Sequence, residues 1–203
     1  MHAFLYRIAK WLVRWGSKLF VRVKIQGLEH AQGQGAYLLC GNHLSWFDGA
    51  IILLLPKKRI VRLMCKKELF SIFPGRWFYE FAYFFPVDRE GNDVQSVKTA
   101  LKVLKDGHVL GIFPEGTRSK SQELLPFHNG PVTLAHRQKV PIVPFGRTKK
   151  VGLWGKICVS IGEPYYIDCD DRRLSQEQTE RFTQELREKV MEEMEKAERM
   201  LHG

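Results

Sequence analysis

A histidine and an aspartate stand five residues apart in the segment NHLSWFD, which covers residues 42–48. On one continuous helix this spacing would separate the side chains by about 140°, so they would not share a face. If His43 lies in a turn and Asp48 in the first turn of a following helix, the carboxylate can accept a hydrogen bond from one ring nitrogen. The other nitrogen is then free to take a proton from a hydroxyl, which is general-base chemistry.

This spacing alone is a weak signal, because a loop histidine before a helix-start aspartate is also common without a catalytic role. The chain contains no G-x-S-x-G elbow that would supply a serine nucleophile. An attacking hydroxyl would therefore have to come from the substrate, with His43 and Asp48 acting as two parts of a catalytic triad.

Two further loops carry residue types that suit a phosphate group. Residues 115–118 read EGTR and offer a glycine for close approach, a hydroxyl donor and a guanidinium able to make two parallel hydrogen bonds. Arg89, in the segment VDR, offers a second guanidinium. Arg89 and Arg118 could each also be solvated surface cations, so the phosphate interpretation depends on the loops meeting.

Short apolar runs alternate with amphipathic segments along the chain. Strands are predicted at residues 21–25, 37–40, 60–64, 84–87, 109–113, 142–145 and 156–161, and helices at 3–19, 47–55, 94–105, 130–137 and 174–201. This order predicts an α/β fold with a mostly parallel central sheet flanked by helices. The three candidate loops each follow a predicted strand, and functional residues in such sheets gather at the carboxyl ends of strands.

Length and composition exclude several classes of protein. A chain of 203 residues that is 44% apolar can bury a core, which excludes a disordered or fibrous protein. Four scattered cysteines without a C-x-x-C pair favour a reducing compartment and argue against a zinc ribbon. The histidines other than His43 show no ligand spacing, so no other metal site is expected. No apolar run approaches the roughly 20 residues of a membrane span, and no secretory signal is recognisable.

The charge is strongly asymmetric. The whole chain carries a net charge of +10, whereas residues 168–203 contain 7 basic and 11 acidic residues. A basic body of this kind predicts an anionic partner: nucleic acid, a phosphorylated substrate or an acidic membrane leaflet.

Two aromatic regions favour the membrane among these partners. Residues 1–20 are predicted to form an amphipathic helix with an apolar arc and a neighbouring basic arc, which suits a membrane interface, although a helix docked on the core would show the same pattern. Residues 70–85 contain nine aromatic side chains and follow a basic segment. Aromatic and basic residues together can also bind nucleic acid, but no RNA-binding, zinc-finger or helix-turn-helix signature accompanies them.

The loop segments together resemble the glycerolipid acyltransferase family. NHLSWFD is similar to the family's N-H-x-x-x-x-D motif, and FFPVDRE, FPEGTRS and VPIVPFG resemble its second, third and fourth blocks in the same order. The resemblance covers residues 20–165, and four ordered blocks are far more specific than one motif. The second block departs from many members, which have a glycine-containing, more aliphatic run before the Asp-Arg pair.

This resemblance implies transfer of a fatty acyl group from an acyl thioester to the sn-2 hydroxyl of lysophosphatidic acid, giving phosphatidic acid. The donor would be acyl-carrier protein or acyl-CoA, with no separate cofactor. The implied location is peripheral, on the cytoplasmic face of the membrane, with residues 1–20 as the membrane-associating helix and 21–203 as one acyltransferase domain.

The resemblance also implies a role for each matching residue. His43 would be the general base and Asp48 its orienting partner. The glycerol phosphate site would be lined by Lys66, Arg89, Glu115, Gly116, Thr117 and Arg118.

Two other functions stay open at the level of the sequence. A sister acyltransferase acting on glycerol 3-phosphate or another lysophospholipid would share His43 and Asp48. A non-catalytic, basic membrane-binding protein would keep the N-terminal helix but would not depend on His43.

Overall fold

The computed structural model describes residues 8, 11, 15, 22–56, 59–70, 83–87, 94–149 and 155–202, which include seven strands and four α-helices. The strands are β1 Arg22–Gln26, β2 Tyr37–Gly41, β3 Val61–Lys66, β4 Phe84–Val87, β5 Val109–Ile112, β6 Ile142–Arg147 and β7 Lys156–Ile161. The helices are α1 Asp48–Leu54, α2 Val94–Lys105, α3 Gly130–Gln138 and α4 Gln176–His202.

The seven strands form one sheet in the order β1-β7-β6-β2-β5-β3-β4. Every neighbouring pair is parallel except β6 and β7, so the predicted mostly parallel α/β fold is confirmed. Strand β2 lies between β5 and β6, with Leu39 opposite Gly111 on one side and Val143 on the other. The carboxyl ends of these three strands therefore lie side by side at one edge of the sheet.

Side chains of the fully buried strand β2 divide the core between the two faces of the sheet. Leu39 packs in one apolar cluster with Ile51 and Ile52 of α1. Leu38 and Cys40, on the opposite face, pack in a second cluster with apolar residues of α2, α3 and α4. Strands covered on both faces are typical of parallel sheets and explain why these runs are apolar without alternation.

Helix α4 crosses the sheet closely enough to require glycine in β6. A Cβ atom at Gly146 would lie 2.1 Å from the backbone nitrogen of Met194. Beside this contact the buried carboxylate of Glu193 accepts hydrogen bonds from Ser160 Oγ and Lys196 Nζ. The charged C-terminal helix is therefore fixed against the strand that ends at Arg147.

Substituting Gly146 tests this close approach. We expect Gly146→Ala to lower the free energy of unfolding by about 3 kcal/mol, because the clashing atoms belong to the α4 backbone and cannot rotate aside. Urea denaturation measures the change. Gly33→Ala is the matched control, since nothing lies within 4 Å of its Cβ position. Equal losses in the two variants would contradict this account of the packing.

Two strands continue two residues further along the chain than the sequence predicts. Strand β3 continues past Met64 to Lys66, and β6 continues past Phe145 to Arg147. The predicted helix at 3–19 lies outside the described residues except for Ile8, Trp11 and Trp15, which are helical and exposed. Residues 71–82 of the aromatic region also lie outside them. The division into residues 1–20 and 21–203 therefore stays a prediction.

Candidate active site

The loops that follow β2 and β5 meet at the carboxyl edge of the sheet. His43 comes two residues after β2, and residues 115–119 follow β5. The backbone N–H of Ser119 donates a hydrogen bond of 2.9 Å to the carbonyl oxygen of His43. The structure thus joins the loop that carries His43 to the EGTR loop.

His43 and Asp48 contact each other as their spacing predicts. His43 lies in the loop and Asp48 is the first residue of α1, with 2.8 Å between His43 Nδ1 and Asp48 Oδ2. Because an ionised carboxylate only accepts hydrogen bonds, Nδ1 carries the proton and Nε2 is the basic nitrogen. No hydrogen-bond partner is found for Nε2 within the described part of the chain, and the His43 side chain is 15% exposed.

The imidazole is also held by aromatic contact. The ring of Phe113 stacks on the ring of His43, with 4.2 Å between their centroids and 14° between their planes. Phe113 in turn packs against Phe145 of β6 in a T-shaped arrangement. The ring of His43 is therefore fixed both at its edge and on its face, which is a favourable arrangement for a base that must meet a hydroxyl in one orientation.

Asp48 is a buried carboxylate surrounded by donors. Its Oδ2 accepts the backbone N–H groups of Leu44 and Ser45 at 2.6 and 2.7 Å, and its Oδ1 accepts the Ser45 hydroxyl at 2.9 Å. Burial alone would raise the pKa of Asp48, but the hydrogen bond from His43, the charge of Arg147 and the bond from Ser45 outweigh burial and lower that pKa. The carboxylate therefore remains ionised and orients His43.

Arg147 is a site residue that lies outside the four sequence motifs. It ends β6, its side chain is 1% exposed, and its Nε lies 3.0 Å from Asp48 Oδ1. The side chain of Asn42 binds the backbone of Arg147 in both directions, accepting from its N–H at 2.9 Å and donating to its carbonyl at 3.1 Å. Arg147 directly follows the fourth motif at the end of an apolar strand, but that position alone does not indicate a contact with Asp48.

Glu115 points into the protein beneath His43. One of its oxygens accepts the backbone N–H of His43 at 2.6 Å, and the other accepts the N–H of Leu125 at 3.0 Å. Burial raises the pKa of Glu115, the charge of Asp48 adds to this effect, and the two backbone hydrogen bonds oppose it. In this position Glu115 supports the loop that carries His43.

The rest of the EGTR segment faces outward. Gly116 adopts a positive φ of 65°, a conformation that favours glycine. Thr117 and Arg118 are exposed, and the guanidinium carbon of Arg118 lies 4.0 Å from the centroid of the Trp46 ring. This contact places a cation over the side chain of Trp46, which belongs to the loop between His43 and Asp48.

The other two predicted phosphate contacts are Lys66, which lies at the same carboxyl edge of the sheet, and Arg89, which lies outside the described residues. Lys66 is the last residue of β3, is half-exposed, and has its Nζ 3.4 Å from Glu68. Arg89 falls in residues 88–93, which are not described. The structure therefore brings His43, Asp48, Glu115 and Arg118 together and places Lys66 at the same edge of the sheet.

The fold and the residues at its carboxyl edge correspond to one protein family. A family model described as Acyltransferase matches residues 22–147, from the first residue of β1 to the last residue of β6. This chain belongs to the acyltransferase family and is an acyltransferase. The resemblance inferred from the four motifs is confirmed.

Individual relatives carry names more specific than the description of the family model. The 1-acyl-sn-glycerol-3-phosphate acyltransferase of Bacillus subtilis is 33% identical over 181 residues, which cover 84% of this chain and 87% of that protein. The enzyme of the same name from Limnanthes douglasii is 34% identical over 139 residues, which cover 67% of this chain and 48% of the plant protein.

A solved structure supports the fold. The crystal structure of the 1-acyl-sn-glycerophosphate acyltransferase from Thermotoga maritima matches with a TM-score of 0.74 at 22% identity. The match covers 94% of this chain and 80% of that chain.

Proposed function

We propose that this acyltransferase moves a fatty acyl group from an acyl thioester to the sn-2 hydroxyl of lysophosphatidic acid, giving phosphatidic acid for phospholipid synthesis. The names of the bacterial and plant relatives support this acceptor. The observation that carries the chemistry is the 2.8 Å contact between His43 Nδ1 and Asp48, because it leaves Nε2 as an oriented base.

In the proposed step, His43 Nε2 takes the proton of the sn-2 hydroxyl while the hydroxyl oxygen attacks the thioester carbonyl. The tetrahedral intermediate collapses with cleavage of the C–S bond, and the imidazolium returns the proton to the departing thiolate. Atoms and charges balance with donor and acceptor alone, so the proposed reaction needs no cofactor. Because a thioester is already activated, the acyl group passes directly to the acceptor without an acyl-enzyme intermediate.

The phosphate of the acceptor is proposed to lie against the loop after β5. Thr117 and Arg118 are exposed there, and Lys66 stands at the same edge of the sheet. Arg89, which follows β4, is assigned to the same group of phosphate contacts. Gly116 permits the backbone turn that presents Thr117 and Arg118, and Glu115 holds that turn and His43 from beneath.

Arg118 gives a direct test of this assignment. We expect Arg118→Met to raise the KM for lysophosphatidic acid by about 10- to 100-fold, the effect of losing a charge-assisted hydrogen bond. Monoacylglycerol, which lacks the phosphate, should show no such change. Acceptor-dependent thiol release measures both.

The matched control for Arg118→Met is Lys120→Met, which removes an exposed cation two residues further along the same loop. Similar effects of the two variants would contradict a specific phosphate contact. A wild-type preference for glycerol 3-phosphate or for another lysophospholipid would replace the proposed acceptor with that compound.

The donor is proposed to be a thioester of acyl-carrier protein or of coenzyme A. Both are acidic, and the net charge of +10 attracts either one. Thiol release with each donor at equal concentration distinguishes them.

The enzyme is further proposed to act at the cytoplasmic face of the membrane as a peripheral protein. Trp46 and Phe47 are 65% and 52% exposed in the same loop as His43, beside the Arg118 cation. Aromatic side chains next to a cation suit the headgroup region of a bilayer, where a lysolipid acceptor lies. Within the described ranges, no helix is both long and apolar enough to cross a membrane.

A further inference from the structure

We infer that Arg147 is a positioning residue whose permanent positive charge allows His43 to stand neutral beside a buried carboxylate. The inference rests on the proposed role of His43 as general base. It adds to that role a residue that lies outside the four sequence motifs.

Asp48 and Arg147 form a buried ion pair. The side chains of Asp48 and Arg147 are each 1% exposed, and 3.0 Å separates Arg147 Nε from Asp48 Oδ1. A buried carboxylate requires a compensating positive charge, because an unpaired ion in the interior is strongly destabilising. Two neighbours can supply that charge: Arg147 permanently, and His43 only by holding a proton.

A general base must be free of its proton when the substrate arrives. If His43 were the only cation beside Asp48, the buried carboxylate would retain an imidazolium in the resting enzyme and block proton transfer. Arg147 removes this requirement because a guanidinium begins so far above neutral pH that it keeps its charge, although burial lowers the pKa of Arg147 and the charge of Asp48 opposes that effect. Asp48 can then orient His43 without holding it in the protonated form.

The surroundings of Arg147 indicate that charge, rather than a hydrogen-bond network, decides its placement. Its Nε and Nη1 atoms are buried and find no partner of hydrogen-bond geometry in the part of the chain that the structure describes. Its backbone, by contrast, is tied in both directions to Asn42, the residue before His43. The end of β6 is thus fixed to the loop that carries the base.

Three titratable or charged groups in the described chain surround the Asp48 carboxylate. His43 approaches from the loop after β2, Arg147 from β6, and Glu115 acts on it electrostatically from the loop after β5. Only Arg147 among them carries a fixed positive charge, so its removal leaves His43 as the one group in contact with Asp48, among the described residues, that can become a cation.

The experiment compares the titration of His43 in Arg147→Met and Arg147→Lys. In the Met variant we expect the acid limb of the pH profile of kcat/KM to move upward by about one pH unit or more. The Asp48 carboxylate, 2.8 Å from His43 Nδ1, is then uncompensated, and an opposite charge this close favours the protonated imidazole by that amount. The midpoint of an NMR titration of the His43 ring in labelled protein should rise by the same amount. Arg147→Lys, which keeps the charge, should stay close to wild type.

Two controls separate charge from structure. The double variant Asp48→Asn, Arg147→Met removes both members of the pair. The midpoint pH of the His43 titration should therefore be well below the midpoint in Arg147→Met. Arg62→Met removes a part-buried arginine of β3 that contacts Tyr83 and is not paired with Asp48. It should leave the titration unchanged. If Arg147→Met does not fold, Arg147→Gln takes its place as the neutral variant.

An unshifted His43 titration in a folded neutral variant would overturn the inference, as would an equal shift in Arg147→Lys. The NMR titration uses no substrate. It therefore tests Arg147 even if the protein proves to act on another acceptor, and failure of the proposed function would appear only in the activity assay.

Discussion

Replacing His43 with alanine is expected to lower kcat by about 10²–10⁴-fold, the usual contribution of a general base. The reason is geometric: Asp48 and the Phe113 ring hold the imidazole in one orientation and leave Nε2 as the basic nitrogen. Steady-state thiol release at saturating donor and acceptor measures the loss. Because the substrate contacts proposed for Arg118 and Lys66 are unaffected, the KM for the acceptor should change far less than kcat.

The matched control for His43 is His202→Ala, which removes an exposed histidine at the end of α4. This variant should keep wild-type activity. Liposome binding should be retained by both variants, which separates catalysis from membrane association. Full activity in His43→Ala would exclude the histidine as the base. If wild type were inactive and both proteins bound liposomes equally, a non-catalytic membrane-binding protein would be favoured.

Asp48→Asn is expected to lower kcat by about 10³–10⁴-fold, comparable to the effect of the equivalent change in serine protease triads. An asparagine can accept with one oxygen only, whereas both oxygens of Asp48 accept hydrogen bonds. The amide nitrogen of the asparagine must then either face one of the N–H or O–H donors that now bind Asp48, or donate to His43 Nδ1 and so favour the wrong imidazole tautomer. The variant also leaves the Arg147 charge buried without a partner, so we expect it to be less stable than wild type.

The pH dependence of stability gives this variant a second readout. The folded-state pKa of Asp48 lies below the ordinary value of 3.8, so its ionised form stabilises the fold above that pH, and this contribution is lost as pH falls through the folded pKa. The difference in unfolding free energy between wild type and Asp48→Asn should therefore be present at neutral pH and shrink below about pH 3.8. A difference that stayed constant into this acid range would contradict the contacts assigned to Asp48.

The sequence allowed the fold and the central pair of residues to be predicted because both depend on local signals. Apolar runs of strand length, separated by amphipathic helices, determine a parallel sheet, and a parallel sheet brings the loops after its strands to one edge. His43 and Asp48 meet because one lies in such a loop and the other begins the next helix.

Arg147 and the inward direction of Glu115 could not be predicted in the same way. Arg147 reaches Asp48 only because β6 continues past its apolar run and lies beside β2. Strand order and side-chain direction depend on long-range packing, which residue types and spacing do not reveal. Glu115 matches a phosphate-binding motif, but its carboxylate accepts two backbone donors inside the protein, one of them from His43.

The most direct test of the account is to detect the product. Purified protein would be incubated with lysophosphatidic acid and either acyl-CoA or acyl-carrier protein thioester, and free thiol and phosphatidic acid would be quantified together. We expect acceptor-dependent thiol release with an equal amount of phosphatidic acid from at least one donor, and loss of both signals in His43→Ala. No phosphatidic acid from either donor, or equal rates in wild type and His43→Ala, would contradict this expectation.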